Sequence, residues 1–266
     1  QSIGLWKEFQ IEAREDLFLQ NGVLDLAVGA GQYEDQGFNV LKSLGIPVEK
    51  LDSHAISERY RMLNPKSFSF GILQPEGGIL WAKKAIAAFT RLAQKRGAAL
   101  EEGARIVRIL KTKNEIQGLK DDRGKIWKAR QYVFASGAWS RDVLRDFKIP
   151  LTVTRQECLY LRPPRNQGRY RPVHFPVMRV SKKGFHILPV HIHGFMKFGV
   201  HDKGAVVRQV LTPIIPDKKF PQKARSLLKG FFPDLNDFSD IEGKVYYYTW
   251  TPDGDFIMDR LSGYAN

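Results

Sequence analysis

Leu80, Ala85, Ile86, Phe89, Leu92 and Ala93 recur at a helical period across residues 80–96, and Gly97 stands where such a helix would be capped. A less regular version runs through residues 1–16, where Ile3, Trp6, Phe9 and Ile11 offer an apolar side. Further helices are predicted from about Gln36 to Leu44, ended by Gly45 and Pro47, and over LDSHAISERY, with Ser53 as its cap and Pro65 just beyond. Two more are predicted, one starting near Ser140 and one over residues 218–231.

Alternation governs most of the remainder. DLFLQNGVLDLAVG reads as two strands around Asn21-Gly22, a tight-turn signal. VGAGQYEDQG, with Gly29 and Gly31, reads as a loop, because Tyr33-Glu34-Asp35 is a poor lead into a phosphate-binding helix. Short strands follow from Gly103, with a turn at Asp122-Arg123-Gly124, and end on YVFASG, an apolar run of the fully buried kind. After Pro150 the strands are LTVTRQECLYLR, HFPVMRV, GFHILPV and GFMKFGV, and GKVYYYTW comes later. No segment repeats. This interleaving suits two domains that share the chain discontinuously.

Composition narrows the classes. The 266 residues are 43% hydrophobic and 26% charged, as a globular protein requires. No run of about 18 apolar residues exists, so no helix is expected to span a membrane. The opening QSIGLWKEFQ has neither the basic start nor the apolar core of a signal peptide, and the expected location is the cytoplasm. A net charge of +14 attracts anions, but the cations are scattered and form no basic-aromatic strip, so no nucleic-acid partner is expected. One cysteine, Cys158, leaves no internal disulfide and no cysteine-cluster zinc site, and reads as a small buried hydrophobe.

Several motifs carry candidate chemistry. In KFGVHDKG, Lys197, Gly199 and His201 share one strand face, and Gly199 leaves a space between a cation and an imidazole. A surface strand could hold both without function, but the flanking Phe195, Met196, Phe198 and Val200 argue for partial burial. A partly buried lysine fits an electron-rich cofactor or substrate. In YVFASGAWS an apolar strand runs into Gly137, which would let the backbone approach a nucleotide; the G-x-G-x-x-G fingerprint is missing. His191 and His193 in HIH lack a third ligand, so no metal is expected. Asp253 and Asp255 read as a turn. Alternation places Tyr246 and Tyr248 on one face and Tyr247 on the other; core packing and a ligand-facing hydroxyl both stay open.

Taken together, ILQPEGGILWAKKAIAAFTRLAQKRGAAL, FASGAWSRDVL, TRQECLYLR, MKFGVHDKG and YYYTWTPDGDFIMD resemble, in order and rough spacing, the monomeric sarcosine oxidase family. That family includes N-methyltryptophan and pipecolate oxidases and belongs to the D-amino-acid-oxidase-like flavoproteins. The resemblance implies an α/β plus α+β fold: a Rossmann-like FAD domain, incomplete here, interleaved with an antiparallel-sheet substrate domain. Residues 1–76 and 149–250 would form the substrate domain, and residues 77–148 and 251–266 the FAD part. The implied reaction oxidises the C–N bond of a small secondary or tertiary amine or amino acid, with dioxygen as acceptor and hydrogen peroxide as product.

The resemblance also implies roles. Lys197 would lie near the flavin and activate dioxygen, since a fixed cation stabilises the anion formed when dioxygen takes up an electron. His201 would manage the amine's orientation and proton, and Tyr248 and His186 would shape the substrate cage. Ile106, Ala135, Ser136, Gly137, Ala138 and Trp139 would lie at the FAD. Tyr246 stands where relatives carry an attachment cysteine, so FAD is expected to be noncovalent. The N-terminal fingerprint, the carboxylate-binding arginine and the last flavin-contacting strand would fall outside residues 1–266, and this piece alone is expected to bind FAD poorly and to be inactive. The alternatives are a non-catalytic binding or assembly module on the same fold, and an electron acceptor other than dioxygen. Oligomeric state is not legible.

Overall fold

The computed structural model describes residues 2–163, 167–191, 193–211 and 215–265. Its first part runs α1 (Ser2–Ala13), β1 (Phe18–Gln20), β2 (Val23–Ala27), α2 (Gln32–Ser43), β3 (Glu49–Asp52), α3 (Ser53–Arg59), β4 (Phe70–Gln74), β5 (Gly78–Leu80) and α4 (Ala82–Lys95). The middle adds β6 (Ile106–Lys111), β7 (Ile116–Asp121), β8 (Ile126–Trp127), α5 (Ser140–Val143) and β9 (Thr152–Arg162). The last part holds β10 (Val177–Val180), β11 (Phe185–Leu188), β12 (Met196–Val200), β13 (Ala205–Val206), α6 (Phe220–Phe231) and β14 (Ser239–Trp250). Contacts divide the chain into two units, both discontinuous. The first comprises residues 1–98, 157–202 and 215–245, and the second residues 99–156, 203–214 and 246–266.

The first unit is built on a sheet in which β12, β11, β10, β2, β4 and β3 lie side by side, with the latter part of β9 next to β12. All these pairs are antiparallel except β10 with β2, where Val177, Met178 and Arg179 run parallel to Val23, Leu24 and Asp25. One face is apolar by alternation: Met178, Phe185, Ile187, Met196 and Phe198 are almost fully enclosed. They join Leu228, Phe231 and Phe232 from α6 and its end in one core. Each such aromatic contributes about 2–3 kcal/mol by leaving water. A smaller core joins α1 to α4, where the rings of Phe9 and Phe89 stack at 4.0 Å. Ile11, assigned to the apolar side of α1, is instead 76% exposed.

Three local expectations are corrected. Asn21-Gly22 does not join a hairpin: β1 pairs with β5, while β2 pairs with β4 and β10. Gly22, at φ +81°, hands the chain from one ladder to the other; its N–H donates to Gly77 O, and its carbonyl accepts from Val177 N. The Asn21 amide is spent on Phe175 O at 3.0 Å, so long-range partners outcompete the local turn. The glycine-rich loop is shorter than expected, because α2 begins at Gln32. Glu34 and Asp35 sit in its first turn, where carboxylates favour a helix. Finally, α3 is capped by Asp52, whose Oδ1 accepts from Ala55 N at 2.7 Å; Ser53 is already helical.

The second unit holds the antiparallel meander β6–β7–β8. Gly124, at φ +87°, turns the chain between β7 and β8 as expected. Asp121 accepts there from Arg123 N, Lys125 N and Trp127 Nε1. The expected buried strand YVFASG is not a strand, and Val133 is 91% exposed. An apolar strand needs ladder partners on its edges, and no described strand pairs with this segment. The helix near Ser140 is one turn long, and 3₁₀ geometry follows at Arg145–Phe147. Among the described residues no helix is long and apolar enough to cross a membrane.

Candidate functional site

The face of the first unit's sheet opposite its apolar core is polar. Strand register sets Asp25, Arg179, His186 and Gly199 side by side on β2, β10, β11 and β12. Lys197 and His201 lie two residues to either side of Gly199, so alternation gives them the same face. Phe185, Ile187, Met196 and Phe198, in the opposite phase, point into the core. The sequence therefore places these groups by simple strand periodicity, anchored by hydrophobic neighbours.

Arg179 meets Asp25 through a two-pronged ion pair, Nε to Oδ1 at 2.5 Å and Nη2 to Oδ2 at 2.6 Å. That hydrogen bonding raises the arginine above its ordinary pKa. His186 is half-buried beside it, and its pKa is pushed down to about 4, first by burial and then by the charges of Lys197, His201 and Arg179. At neutral pH the ring is a neutral imidazole among cations. Gly199 explains how it fits. A Cβ on Gly199 would lie 2.6 Å from both Cε1 and Nε2 of His186. The space between Lys197 and His201 is thus not left open, as the sequence suggested; the His186 ring fills it.

Beside this row opens a cavity of about 670 Å³. Tyr33, Glu34, His186 and His201 border it, together with Val28 and with Phe185, whose ring itself is turned into the core. The start of α2 contributes Tyr33 and Glu34 because Gly31, at φ +63°, turns the chain sharply after β2. A Cβ there would sit 2.6 Å from the Phe70 ring, so only glycine lets the helix start so close to β4. Lys182 lies on the rim, its Nζ 3.1 Å from where a Cβ of Gly29 would be. Lys197 is not among the lining residues; it stands next to Leu188 and Tyr160 in the register.

The other candidates belong to the second unit. Tyr248 packs edge-on to Trp250 at 5.8 Å, and Trp250 Nε1 donates to Thr154 Oγ1 at 2.8 Å. The Tyr247 hydroxyl accepts from Leu211 N at 3.1 Å, and Tyr246 is 41% exposed. Ile106 opens β6 opposite Asp121. Ala135 and Ser136 lead into a 3₁₀ turn, Gly137–Trp139, that includes Ala138. Gly137, at φ +53°, has nothing within 4 Å of a built Cβ, and Trp139 is 44% exposed. A bare backbone bend beside an exposed indole leaves room for a flat ring system to approach.

His191 and His193 bring their rings to 4.7 Å, within a stack that includes Phe195. Among the described residues no three His, Cys, Asp or Glu side chains cluster as a metal site would need. Asp253 Oδ1 accepts from Asp255 N at 3.1 Å, as a turn requires. Cys158 is buried. Asp25, Arg179 and Lys182 are not singled out by the sequence, and Glu34 reads there only as part of a loop. A usable signal existed for two of them: Asp25 in VLDLA and Arg179 in VMRV are lone charges at the outward phase of apolar strands.

A family model described as "DAO: FAD dependent oxidoreductase" matches residues 1–266. Monomeric sarcosine oxidase of Streptomyces avermitilis is 25% identical over 225 residues, which are 81% of this chain and 56% of that protein. N-methyl-L-tryptophan oxidase of Salmonella typhi is 22% identical over 271 residues, 98% of this chain and 69% of that one. Among solved structures, L-proline dehydrogenase from P. horikoshii superposes with a TM-score of 0.82 at 22% identity, covering 99% of this chain and 70% of that one. The chain thus spans a little over half to about two thirds of the length of these relatives.

Proposed function

Because the chain belongs to the DAO family of FAD-dependent oxidoreductases, we propose that it forms the substrate-facing part of an enzyme that oxidises the C–N bond of a small amine or amino acid. The carrying observation is the neutral His186 ring seated over Gly199 in the wall of the 670 Å³ cavity, with His201 in the same wall and Lys197 close enough to depress it. An amine is oxidised as its free base, and a substrate ammonium must lose a proton first. A ring whose protonation is opposed this strongly is a poor base, but as a neutral imidazole it accepts a hydrogen bond from the N–H of the free amine and so orients it. The surrounding cations keep the ring neutral down to mildly acid pH and favour the free base over the ammonium beside it.

FAD, when bound, supplies the acceptor for the hydride that leaves the carbon next to nitrogen. Gly137, Ala138, Trp139 and Ile106 would hold its nucleotide side, noncovalently, since Tyr246 offers no thiol for attachment. On this reading the second unit is the cofactor part and the first unit the substrate part. Lys197 provides a fixed cation for dioxygen, the proposed final acceptor, with hydrogen peroxide as product.

The test uses the full-length, FAD-loaded protein with sarcosine, pipecolate and related amines, scored by peroxide release. Lys197→Met is expected to slow reoxidation by dioxygen about a hundredfold, the usual cost of losing one preorganised electrostatic partner, while flavin reduction by the amine changes far less. Equal effects on both half-reactions would remove Lys197 from its role. No bleaching of the flavin by any amine would remove the function.

A further inference from the structure

The first unit carries a second opening, on the other side of its sheet. A cleft of about 600 Å³ lies between the end of α3 and the turn that precedes β10. Half of the residues lining it are arginines: Arg59, Arg61, Arg169 and Arg171. Glu58 is the one carboxylate in the lining and His174 the one imidazole. No lysine takes part, although lysine is the commoner cation in the chain. Met62, in the same lining, is buried and joins Tyr60, Tyr170 and Phe175 in the core on the sheet's apolar face. The cleft therefore opens on the side of the sheet away from His186.

Short turns carry these cations. Arg59 ends α3, and Leu63 N donates to Tyr60 O at 2.9 Å just beyond it. In the facing segment Arg171 N donates to Gly168 O at 3.2 Å, and His174 N and Phe175 N both donate to Arg171 O at 2.9 Å. Two of the four guanidiniums are anchored by carboxylates outside the lining: Arg59 by Glu49 at 3.3 Å and Arg169 by Asp234 at 2.5 Å. The side chains of Arg61 and Arg171 make no hydrogen bond or ion pair among the described residues. Even with Glu58, Glu49 and Asp234 counted against the four arginines, the cluster keeps a positive excess, which draws an anion into the cleft. Planar guanidinium forks match the paired oxygens of a phosphoryl group, whereas an ammonium offers only a point charge. The volume lies in the range of small-molecule sites and exceeds what a lone phosphate fills.

We propose that this cleft is a binding site for a small phosphate-bearing compound. Arg61 and Arg171 receive its phosphoryl oxygens, Arg59 and Arg169 reinforce the field from fixed positions, and the rest of the molecule lies over the adaptable Met62 thioether. The site does not depend on the amine-oxidising reading, because none of its residues belongs to the His186 cavity.

The probe is inorganic pyrophosphate, titrated by calorimetry into the full-length, FAD-loaded protein at constant ionic strength; FAD loading keeps the place of the cofactor's own diphosphate filled. One equivalent is expected to bind with a Kd below about 1 mM. Replacing both Arg61→Ala and Arg171→Ala should weaken binding at least about tenfold, because charge-assisted hydrogen bonds are lost. The pair Arg61→Lys and Arg171→Lys keeps the charge without the fork and should fall in between. The pair Lys95→Ala and Lys113→Ala removes the same charge from exposed positions outside the cleft, and should leave the affinity within about twofold of the wild type. Arg61 and Arg171 are exposed too, so folding is not at stake in any of these variants. Absence of saturable binding by the wild type would overturn the proposal. Equal weakening in the two alanine pairs would overturn it as well, since binding would then follow the overall charge of +14 and not this cleft.

Discussion

Acidification is the perturbation whose effect the structure fixes best. The His186 ring has an ordinary pKa of 6.5 and is pushed down to about 4 in the fold. Above pH 6.5 the ring is neutral in both the folded and unfolded chain, and the linkage is silent. As pH falls below that value the unfolded chain takes up a proton that the fold refuses, so stability drops; the loss stops once pH reaches about 4 and the folded ring is protonated too. Each pH unit in that window is worth about 1.4 kcal/mol, which makes the full loss about 3 kcal/mol, a ceiling because the ring is half-buried rather than sealed. Urea unfolding between about pH 7.5 and pH 4 measures it, with His186→Gln as the reference that carries every other titration. The wild type should lose up to about 3 kcal/mol more than the variant. Lys197→Met should shrink the difference only in part, since burial is the larger cause. Parallel loss in wild type and His186→Gln would refute the argument.

Two glycine substitutions separate side-chain from backbone obstruction. Gly199→Ala meets a movable ring 2.6 Å away, so we expect a loss of about 1–3 kcal/mol and, by NMR titration, a His186 pKa that climbs back toward 6.5 as the imidazole swings out. Gly78→Ala meets the Leu19 carbonyl oxygen 2.1 Å away, a backbone atom in the β1–β5 ladder that cannot turn aside. Its cost should exceed that of Gly199→Ala and reach about 3 kcal/mol or more, read from urea midpoints; identical midpoints would contradict the reasoning.

Elements whose partners are local were legible in the sequence. The helix α4 was fixed by its own period and by Gly97, which adopts φ +93° just after the helix, where Ala98 N closes back to Ala93 O. The strands β9 to β12 announced themselves through alternation, and with them the shared face of Lys197 and His201; that His186 joins it from β11 is set by strand register. The failures involve distant partners. Asn21-Gly22 has a perfect hairpin composition, yet Phe175 and Val177, far along the chain, claim its hydrogen bonds. YVFASG has a buried strand's composition, yet burial depends on neighbours that composition cannot supply. Gly199 was read as empty space because periodicity reports which face a residue takes and not what crosses from the next strand. Glu34 escaped for a related reason: its burial follows from how Gly31 aims α2 at β4, a tertiary fact.

The parallel contact of β2 with β10 bears on how the molecule comes into being. It joins Asp25 to Arg179, positions 154 residues apart in the chain. During synthesis, at roughly 5–20 residues per second, β2 leaves the ribosome on the order of 10 s before the strand that will cover its edge exists. Throughout that interval the β2–β4–β3 ribbon presents an unsatisfied edge of VLDLA to the surrounding cytosol or lumen. Such an edge recruits stray strands from other nascent copies. Production of this protein should therefore depend on holding chaperones and on translation speed between β4 and β10 more than its final stability would suggest.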